Sequence, residues 1–289
     1  TTLDHEIEKF DGSAGGGSLI AWVKIPDLFS GNADTTIYIY YGNSKVNTAT
    51  ENPSGVWDDN YVAVYHLKET SGIHYDSTGN DNDSTSVNVA AQGSATGKID
   101  GADDFNGTSS QINIGDKDSQ HITSAITIEA WIDPDDLTTD KGRIVTKSDE
   151  RFVLRTSNAH SGELEAYVDE GTLKHAQKSG ILNTSGYQHV AMTWASSGTA
   201  QPIKLYYNGS EVTNYTLQEN ATSPLNTSTG DLYIGSHGSG EYFNGRIDEV
   251  RISNLARDAC WIGTTYNTIN NASFFVTEGQ EGGGATAVS

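Results

Sequence analysis

The sequence has little cysteine, little positive charge and no long apolar run. Cys260 is the only cysteine among 289 residues, so no disulfide can form within the chain and its stability must come from packing or from metal. Lys and Arg number 17 against 38 Asp and Glu, which gives a formal net charge of −21. Because so acidic a surface repels nucleic acid and anionic membranes, we expect neither as a partner. No run of about 18 apolar residues occurs, so we expect no insertion into a membrane.

Histidine motifs for zinc are also missing. The eight histidines include no HExxH and no His-X-His pair, which argues against a zinc site. His66 and His189 fall within strand patterns, so we interpret them as structural histidines. Cys260 has no His or Asp partner nearby in sequence, and we expect it to be a small buried residue of a helix.

Glycine is abundant, and turn residues separate many short alternating segments. With 31 Gly, 5 Pro and 35% hydrophobic residues, the composition favours an all-β fold over a helical bundle. Asp258–Tyr266 is the one credible helix, and Asp258 can cap it. Strands are predicted at Gln111–Gly115, Ile126–Ile132, Arg143–Lys147, Phe152–Thr156, Leu164–Val168, Leu173–Lys178, His189–Trp194, Ile203–Tyr207, Asp231–Ile234 and Ser273–Val276, a spacing typical of a β-sandwich.

The first 57 residues contain three further strand patterns, at His5–Phe10, Leu19–Ile25 and Thr36–Tyr41. Three strands bury too small a core to fold alone, so this incomplete sheet needs partners from the rest of the chain or from another molecule. The runs HEIEKFD, LIAWVKIPDL and TTIYIYYGN resemble the second half of a domain of unknown function common in prokaryotic surface proteins.

Eight segments between Val62 and Asn267 carry a second resemblance. In order they are YHLKETSG, YDSTGNDNDST, GKIDGADDFNGTSSQINIG, ITIEAWI, HVAMTW, IKLYYNG, LYIG and FNGRIDEVRISNLARDACWI. They resemble laminin-G-like domains of the concanavalin A-like lectin and glucanase class. The resemblance implies an antiparallel jelly-roll β-sandwich of two sheets. It also implies a binding or structural role and no catalysis. We therefore divide the chain into a small β domain at 1–57, a sandwich at 58–276 and a Gly-rich tail at 277–289, which we expect to be flexible.

The segment Tyr242–Ser253, YFNGRIDEVRIS, places a carboxylate among apolar residues. By strict alternation, Asp248 shares one face with Val250 and Ile252 and points into the core. A buried carboxylate is costly unless a metal, a cation or several donors contact it. We therefore expect a partner for Asp248 elsewhere in the chain.

The loop Tyr75–Ser84 concentrates the hard oxygen ligands that calcium prefers. In laminin-G-like domains a similar turn lies near the aspartate of the IDEV strand, and calcium bridges the two. Carried over by position, the resemblance implies a calcium site formed by Asp76, Asn80 and Asp248.

This chain departs from the family turn at Asp81 and Ser84, where the family usually has glycine. An alternative interpretation therefore stays open. The loop is then an Asx-rich turn held by its own side-chain hydrogen bonds, and Asp248 accepts from backbone amides or from Arg246.

Aromatic side chains offer faces for stacking on sugar rings. Trp194 shares its strand face with Val190 and Met192, so we assign it to the core. Trp131 lies opposite the isoleucine row of its strand, so this reasoning does not assign it to the core. The predicted carbohydrate-binding residues are Trp131, Tyr206, Tyr233 and Tyr242.

Eight Asn-X-Ser/Thr sequons occur, against about four expected by chance. The excess indicates an exported, glycosylated protein that is extracellular or attached to a cell surface. The predicted glycosylation sites are Asn82, Asn106, Asn183, Asn208, Asn214, Asn220, Asn226 and Asn271.

Glycoside hydrolysis with retention needs two carboxylates about 5–5.5 Å apart. By strand parity, Glu163 pairs with Glu165, and Glu129 loosely with Asp133. Neither pair belongs to the Glu-X-Asp-X-(X)-Glu arrangement of glucanases, so we interpret these carboxylates as solvated and expect no enzyme.

The main functional expectation is a non-catalytic structural or adhesive subunit of a surface filament or layer. In this hypothesis Thr1–Phe10 or Ala272–Ser289 completes the sheet of a neighbouring copy by strand addition. The alternative is a calcium-dependent carbohydrate-binding module, and a glycoside hydrolase is the remote alternative.

Overall fold

A computed structural model describes residues 2–13, 17–26, 35–43, 45–138, 142–148, 151–157, 161–271, 278–282 and 285–288. Its main body is a sandwich of two eight-stranded antiparallel sheets, which confirms the predicted all-β fold. A bilayer-spanning helix needs a long apolar run, and no helix in the described ranges has one.

In the described ranges, the strands follow one another along the chain with two α-helices between them. In chain order they are β1 (His5–Asp11), β2 (Ser18–Val23), β3 (Ile37–Ile39), α1 (Pro53–Val56), β4 (Tyr61–Tyr65), β5 (Ser86–Asn88), β6 (Ala91–Thr96), β7 (Gly101–Asn106), β8 (Gln111–Gly115), β9 (Ala125–Pro134), β10 (Arg143–Lys147), β11 (Phe152–Ser157), β12 (Glu163–Asp169), β13 (Leu173–Lys178), β14 (Gln188–Ala195), β15 (Gln201–Pro202), β16 (Lys204–Tyr207), β17 (Ser210–Glu211), β18 (Leu217–Gln218), β19 (Asn220–Ala221), β20 (Leu232–Ile234), β21 (Asn244–Ser253), α2 (Ala259–Asn270), β22 (Glu278–Gly282) and β23 (Ala285–Val288).

One sheet of the sandwich has the order β17-β16-β14-β9-β21-β7-β6, and β4 pairs with the C-terminal end of β21. The other has the order β18-β13-β12-β11-β10-β20-β8-β5. A continuous hydrophobic core lies between them, because alternate residues of each strand point inward. In β9, for example, Ile126, Ile128 and Ile132 are fully buried in this core.

A β-bulge in β21 changes which residues face the core. Glu249 has a positive φ of 51°, and the pairing of β21 with β9 shifts register at this point. As a result Ile247, Val250 and Ile252 all join the core. The prediction that Asp248 shares a face with Val250 and Ile252 is therefore wrong. The extra residue breaks strict alternation and turns Asp248 toward the outer face of the sheet.

Helix α2 covers part of that outer face. Its cap is the predicted one, since the Asp258 carboxylate accepts a hydrogen bond from the Trp261 amide at 2.8 Å. Ile262 is fully buried against Tyr206 of β16. Cys260 is exposed, so the prediction of a buried cysteine is wrong. It lies two positions from Ile262, about 200° around the helix, and so faces away from the sheet.

The incomplete N-terminal sheet finds its partners within the chain. Strands β1 and β2 pair with each other, and Trp22 of β2 packs on the cluster formed by Trp57 and Tyr61. Strand β3 pairs with β23, and β23 pairs with β22. The tail predicted to be flexible thus forms a hairpin that adds to β3. The predicted strand Ser273–Val276 lies outside the described residues.

Candidate functional site

Both oxygens of the Asp76 carboxylate accept hydrogen bonds from nearby residues. Its Oδ1 accepts from the amides of Val64 and Thr78, both at 3.0 Å. Its Oδ2 accepts from the Thr78 hydroxyl at 2.8 Å and from the Asn82 amide at 3.0 Å. Burial raises the pKa of Asp76 even though these donors lower it. These are the contacts of the Asx-turn alternative.

The other two predicted calcium ligands are held elsewhere. Asn80 donates its Nδ2 to two carbonyl groups of β4, at 2.9 and 3.1 Å. The Oδ2 of Asp248 accepts from the amides of Lys98 and Ile99, at 2.7 and 3.1 Å. Within the described ranges, no hydrogen bond joins Asp248 to Asp76 or Asn80. The backbone amides are thus the partner expected for Asp248, and the calcium site stays a prediction.

The two departures from the family turn fit its backbone. Asp81 adopts a positive φ of 51°, the left-handed conformation that glycine favours and aspartate tolerates. Ser84 is buried, and its hydroxyl accepts from the His74 amide at 2.8 Å. The chain thus forms this turn without the glycines.

Of the four predicted sugar-binding aromatics, two are buried. Trp131 and Tyr206 are each 1% exposed, so their assignment to a sugar-binding surface is wrong. Both lie beneath α2, where Tyr266 stacks on Trp131 with ring centroids 5.4 Å apart. Tyr233 and Tyr242 are half-exposed and remain available.

Tyr242 borders a polar cleft at one end of the sandwich. The cleft has a volume of about 270 Å³ and lies between the turn after β7 and the starts of β10 and β21. The hydroxyl of Tyr242 forms no hydrogen bond with the described residues and is free for a ligand. The lining residues are Asn106, Gly107, Thr108, Asp136, Gly142, Thr156, Tyr242 and Asn244.

Local sequence keeps the cleft open. The Oδ1 of Asn106 accepts from the amides of 108–110 at 2.9 to 3.1 Å, which holds the turn in place. Gly107 has a φ of +71°, and a Cβ there would lie 2.9 Å from the Asn244 side chain. A Cβ on Gly142 would lie 2.8 Å from a threonine hydroxyl. Side chains at either glycine would therefore disturb the walls.

Hydrogen bonds and an ion pair of Arg143 hold the backbone next to the cleft. The guanidinium of Arg143 donates to the Tyr167 hydroxyl and to the Glu241 carboxylate, and the Arg143 amide donates to the Glu241 carbonyl at 3.0 Å. Glu241 directly precedes Tyr242 and has a positive φ of 52°. The buried Arg143 thus fixes the backbone that presents the tyrosine ring.

The carboxylates considered for hydrolysis are mostly buried, so their interpretation as solvated is wrong. Glu165 accepts from Arg155 Nε at 2.8 Å and lies 2.8 Å from His175 Nδ1. Burial opposes its charge, but these partners lower the pKa of Glu165 to about 2. Glu163 is buried and accepts from the Ser179 hydroxyl at 2.6 Å.

Glu129 and Asp133, the second pair of carboxylates, contact different partners. Glu129 is buried, and its Oε2 lies 3.4 Å from His189 Nε2. Asp133 forms an ion pair with Arg246 at 3.4 Å. Neither Glu129 nor Asp133 lines the Tyr242 cleft.

One predicted glycosylation site is wrong for the folded chain. Asn82 is fully buried, and its Nδ2 donates to the Val62 carbonyl at 2.7 Å, so a glycan cannot be attached there. Asn208 is half-buried. The other predicted sites, Asn106, Asn183, Asn214, Asn220, Asn226 and Asn271, are exposed.

A cluster of acidic groups around His66 lies beneath the N-terminal sheet. Glu8, His66 and Glu249 are buried, and one ligand atom from each lies within 4.8 Å of the others, so the group could hold a metal ion. Burial and the charge of Glu249 raise the pKa of Glu8 to about 8. Burial opposes the charge of Glu249, but His66 and Arg251 lower its pKa to about 2.

Sequence reasoning did not select Asn106 or Asn244 as cleft residues. A repeated tripeptide could have found them, because Phe-Asn-Gly occurs at both 105–107 and 243–245. The two copies pair across β7 and β21, with Asn106 opposite Asn244. For Glu8 and Glu249, whose partner His66 is distant in sequence, we find no comparable signal.

Comparison with known families agrees with this architecture. The chain belongs to the concanavalin A-like lectin/glucanases superfamily, whose model matches residues 106–263, more than half of the chain. Residues 1–86 match a domain of unknown function, DUF2341. Both resemblances seen in the sequence are confirmed. No protein with a curated description matches the sequence significantly.

Several solved structures share the fold at low identity. One is domain 4 of AbnA, an extracellular arabinanase from Geobacillus stearothermophilus, solved in complex with arabinotriose. It is 21% identical to this chain, with a TM-score of 0.53, and the match covers 71% of this chain and 97% of that domain. The binding domain of botulinum neurotoxin DC, in complex with SialylT, is 12% identical with a TM-score of 0.53 (74% and 52% covered). The binding domain of Paraclostridial mosquitocidal protein 1 is 16% identical with a TM-score of 0.51 (74% and 53% covered). The chain thus spans about half the length of the toxin domains, and its fold resembles that of carbohydrate-binding domains.

Proposed function

We propose that this protein is an extracellular carbohydrate-binding module that does not cleave its ligand. The observation that carries the proposal is the cleft in which the half-exposed Tyr242 ring stands beside asparagine, threonine and aspartate side chains. A sugar presents hydroxyl groups at its edge and C–H groups on its faces. An aromatic ring next to several polar groups matches both features.

The polar walls fit the hydroxyl groups of a sugar. Asn244 and Asp136 supply amide and carboxylate groups, and Thr108 supplies a hydroxyl at the rim. The volume of about 270 Å³ lies below the roughly 300–1,000 Å³ of sites for drug-sized ligands. The cleft therefore suits one sugar residue, such as the end of a glycan chain, better than a long internal stretch.

The support beneath the cleft lowers the cost of binding. The Arg143 guanidinium donates to both the Glu241 carboxylate and the Tyr167 hydroxyl. These contacts fix the backbone next to Tyr242, and such preorganisation favours affinity.

Binding without hydrolysis is the simpler assignment for this cleft. Among the described residues that line it, Asp136 is the only carboxylate, whereas both retaining and inverting hydrolysis use two. Glu163 and Glu165, one of the two carboxylate pairs considered, contact Ser179, Arg155 and His175.

An assembly role remains a prediction. The segments expected to complete a neighbour's sheet pair within their own chain here, since β1 pairs with β2 and β23 with β3. The solved complexes of similar fold point to glycans rather than to filaments.

A glycan array followed by calorimetry on the best ligand tests the proposal. We expect Tyr242→Ala to weaken binding about tenfold, because the stacking face is lost. Tyr75→Ala is the matched control, since Tyr75 is also a solvent-exposed tyrosine but lies in the loop before β5. An array without ligands, or equal loss in both variants, would overturn the proposal. Repeating the titration with a chelator decides whether binding depends on calcium.

A further inference from the structure

His66 is surrounded by carboxylates from both parts of the chain. Glu8 comes from β1 of the N-terminal sheet, while His66 follows β4 and Glu249 forms the bulge of β21. The Nδ1 of His66 lies 2.5 Å from Glu249 Oε1 and 3.4 Å from Glu8 Oε2. All three side chains are almost completely buried, at no more than 2% exposure.

The Oε1 atom of Glu8 is buried and has no hydrogen-bond partner among the described residues. Buried polar atoms are normally paired, so an unpaired one needs an explanation such as an ion. Three carboxylates, those of Glu6, Glu8 and Glu249, lie around His66 and Arg251.

Neighbouring side chains hold Glu8 and Glu249 in place by hydrogen bonds, as residues around a metal site commonly do. The Trp22 indole N–H donates to Glu8 Oε2 at 2.5 Å, and Arg251 donates to Glu249 Oε2 at 2.5 Å. Behind the imidazole, Glu6 Oε2 lies 3.4 Å from His66 Nε2. A carboxylate behind a histidine commonly orients the ring so that its other nitrogen can bind a metal.

Glu6 is itself fixed on both oxygens. Its Oε1 accepts from the Ser77 hydroxyl at 2.6 Å, and its Oε2 accepts from the Trp57 indole N–H at 3.0 Å. Because Glu6 lies at Nε2, the Nδ1 side of His66 faces Glu8 and Glu249.

We propose that Glu8, His66 and Glu249 bind a divalent first-row transition ion of the zinc type. One imidazole nitrogen and two carboxylates are ligands that such an ion accepts, whereas calcium prefers oxygen alone. Metal–ligand bonds of about 2.0–2.2 Å require the ligand atoms to separate slightly, so the ion replaces the His66–Glu249 hydrogen bond. The ion would join the N-terminal sheet to the sandwich.

The sequence argued against zinc because HExxH and His-X-His are missing. Those motifs describe ligands that are neighbours along a helix or strand. Here the ligands are 58 and 183 positions apart (66 − 8 and 249 − 66), so a short motif cannot reveal them.

Metal uptake by the whole folded chain tests the proposal. After chelator treatment and its removal, Zn²⁺ alone is titrated calorimetrically, and Co²⁺ is followed by visible absorption. We expect one ion per chain, and at least about 100-fold weaker binding by His66→Gln, since a ligand is lost. His74→Gln is the matched control, because His74 also lies buried between carboxylates, Glu69 at 2.8 Å and Asp103 at 2.7 Å. It should bind zinc like the unaltered chain.

If His66→Gln fails to fold by circular dichroism, Glu8→Gln replaces it, because glutamine can still accept from the Trp22 indole. It should bind zinc at least about tenfold more weakly. Failure of the folded, unaltered chain to take up zinc would overturn the proposal. Equal binding by the folded His66 or Glu8 variant would also overturn it, since the ion would then lie elsewhere. Glycan binding at Tyr242 is independent of either result.

Discussion

Two buried histidines, His66 and His74, each lie between carboxylates, yet their surroundings differ. The ring nitrogens of His74 contact Glu69 and Asp103 at 2.8 and 2.7 Å. Around His66 the contacts to Glu6 and Glu8 are both 3.4 Å, and buried polar atoms remain unpaired. A completely hydrogen-bonded histidine needs no further partner, whereas unpaired buried polar atoms need an explanation such as water or an ion. The difference separates a structural site from a candidate metal site.

The largest expected effect comes from removing the cation of the His66 cluster. Arg251 pairs with the buried Glu249, and its guanidinium lies 4.5 Å from the Trp22 ring. We expect Arg251→Met to lower the free energy of unfolding by about 3–5 kcal/mol, because Glu249 loses this partner while still buried. Urea denaturation of the metal-free protein measures the change.

The control for that variant is Lys204→Met, which breaks the exposed ion pair with Glu211. Exposed pairs contribute only about 0–1 kcal/mol, so this variant should unfold nearly like the unaltered chain. A loss from Arg251→Met as small as that of the control would show that the cluster tolerates an uncompensated carboxylate.

The pH dependence of the His74 site is the next largest effect. Burial by itself lowers the pKa of His74, but hydrogen bonds with Asp103 and Glu69 outweigh it and raise the pKa from 6.5 to about 9. Since the folded pKa lies above the unfolded one, the stabilisation is fully present below about pH 6.5 and is lost as pH rises through about 9. Its size is on the order of 3 kcal/mol at most.

Denaturation curves between pH 6 and 10 test this expectation by comparing the unaltered chain with His74→Gln. The difference in unfolding free energy between the two should shrink as the pH rises. A difference that stays constant across the range would contradict a protonated His74 in the folded protein.

A smaller effect is expected at the loop predicted to bind calcium. Asp76 accepts four hydrogen bonds, from Val64, Thr78 and Asn82. Asparagine offers only one oxygen, so Asp76→Asn should cost about 1–3 kcal/mol of stability. Thermal unfolding with and without a calcium chelator completes the test. A chelator that lowers the melting temperature of the unaltered chain, but not that of the variant, would support calcium at this loop.

Much of the architecture could be read from local patterns. The strands at 111–115, 143–147 and 173–178 have the predicted bounds, because alternation of apolar residues directly reflects which face is buried. Asp258 caps α2 as expected, since capping depends on residues that are close in sequence.

The candidate sites were harder to predict. Of the predicted sugar-binding aromatics, Tyr242 is half-exposed, whereas Trp131 is buried because α2 packs over it from more than 100 residues away. A single inserted residue at Glu249 reversed the inferred orientation of Asp248. Alternation cannot reveal a bulge, since it assumes an unbroken pairing with the neighbouring strand.

The sequence by itself determined the all-β class, the positions of most strands, the acidic surface and the capped helix, because each follows from composition or from neighbours within a few residues. Tertiary structure alone decided where the buried charges meet. Glu8 reaches His66 and Glu249 only after β1 packs against the sandwich, and Asn106 stands opposite Asn244 only after β7 pairs with β21. Contacts between residues far apart in the chain depend on the packing of whole sheets, which local patterns do not specify.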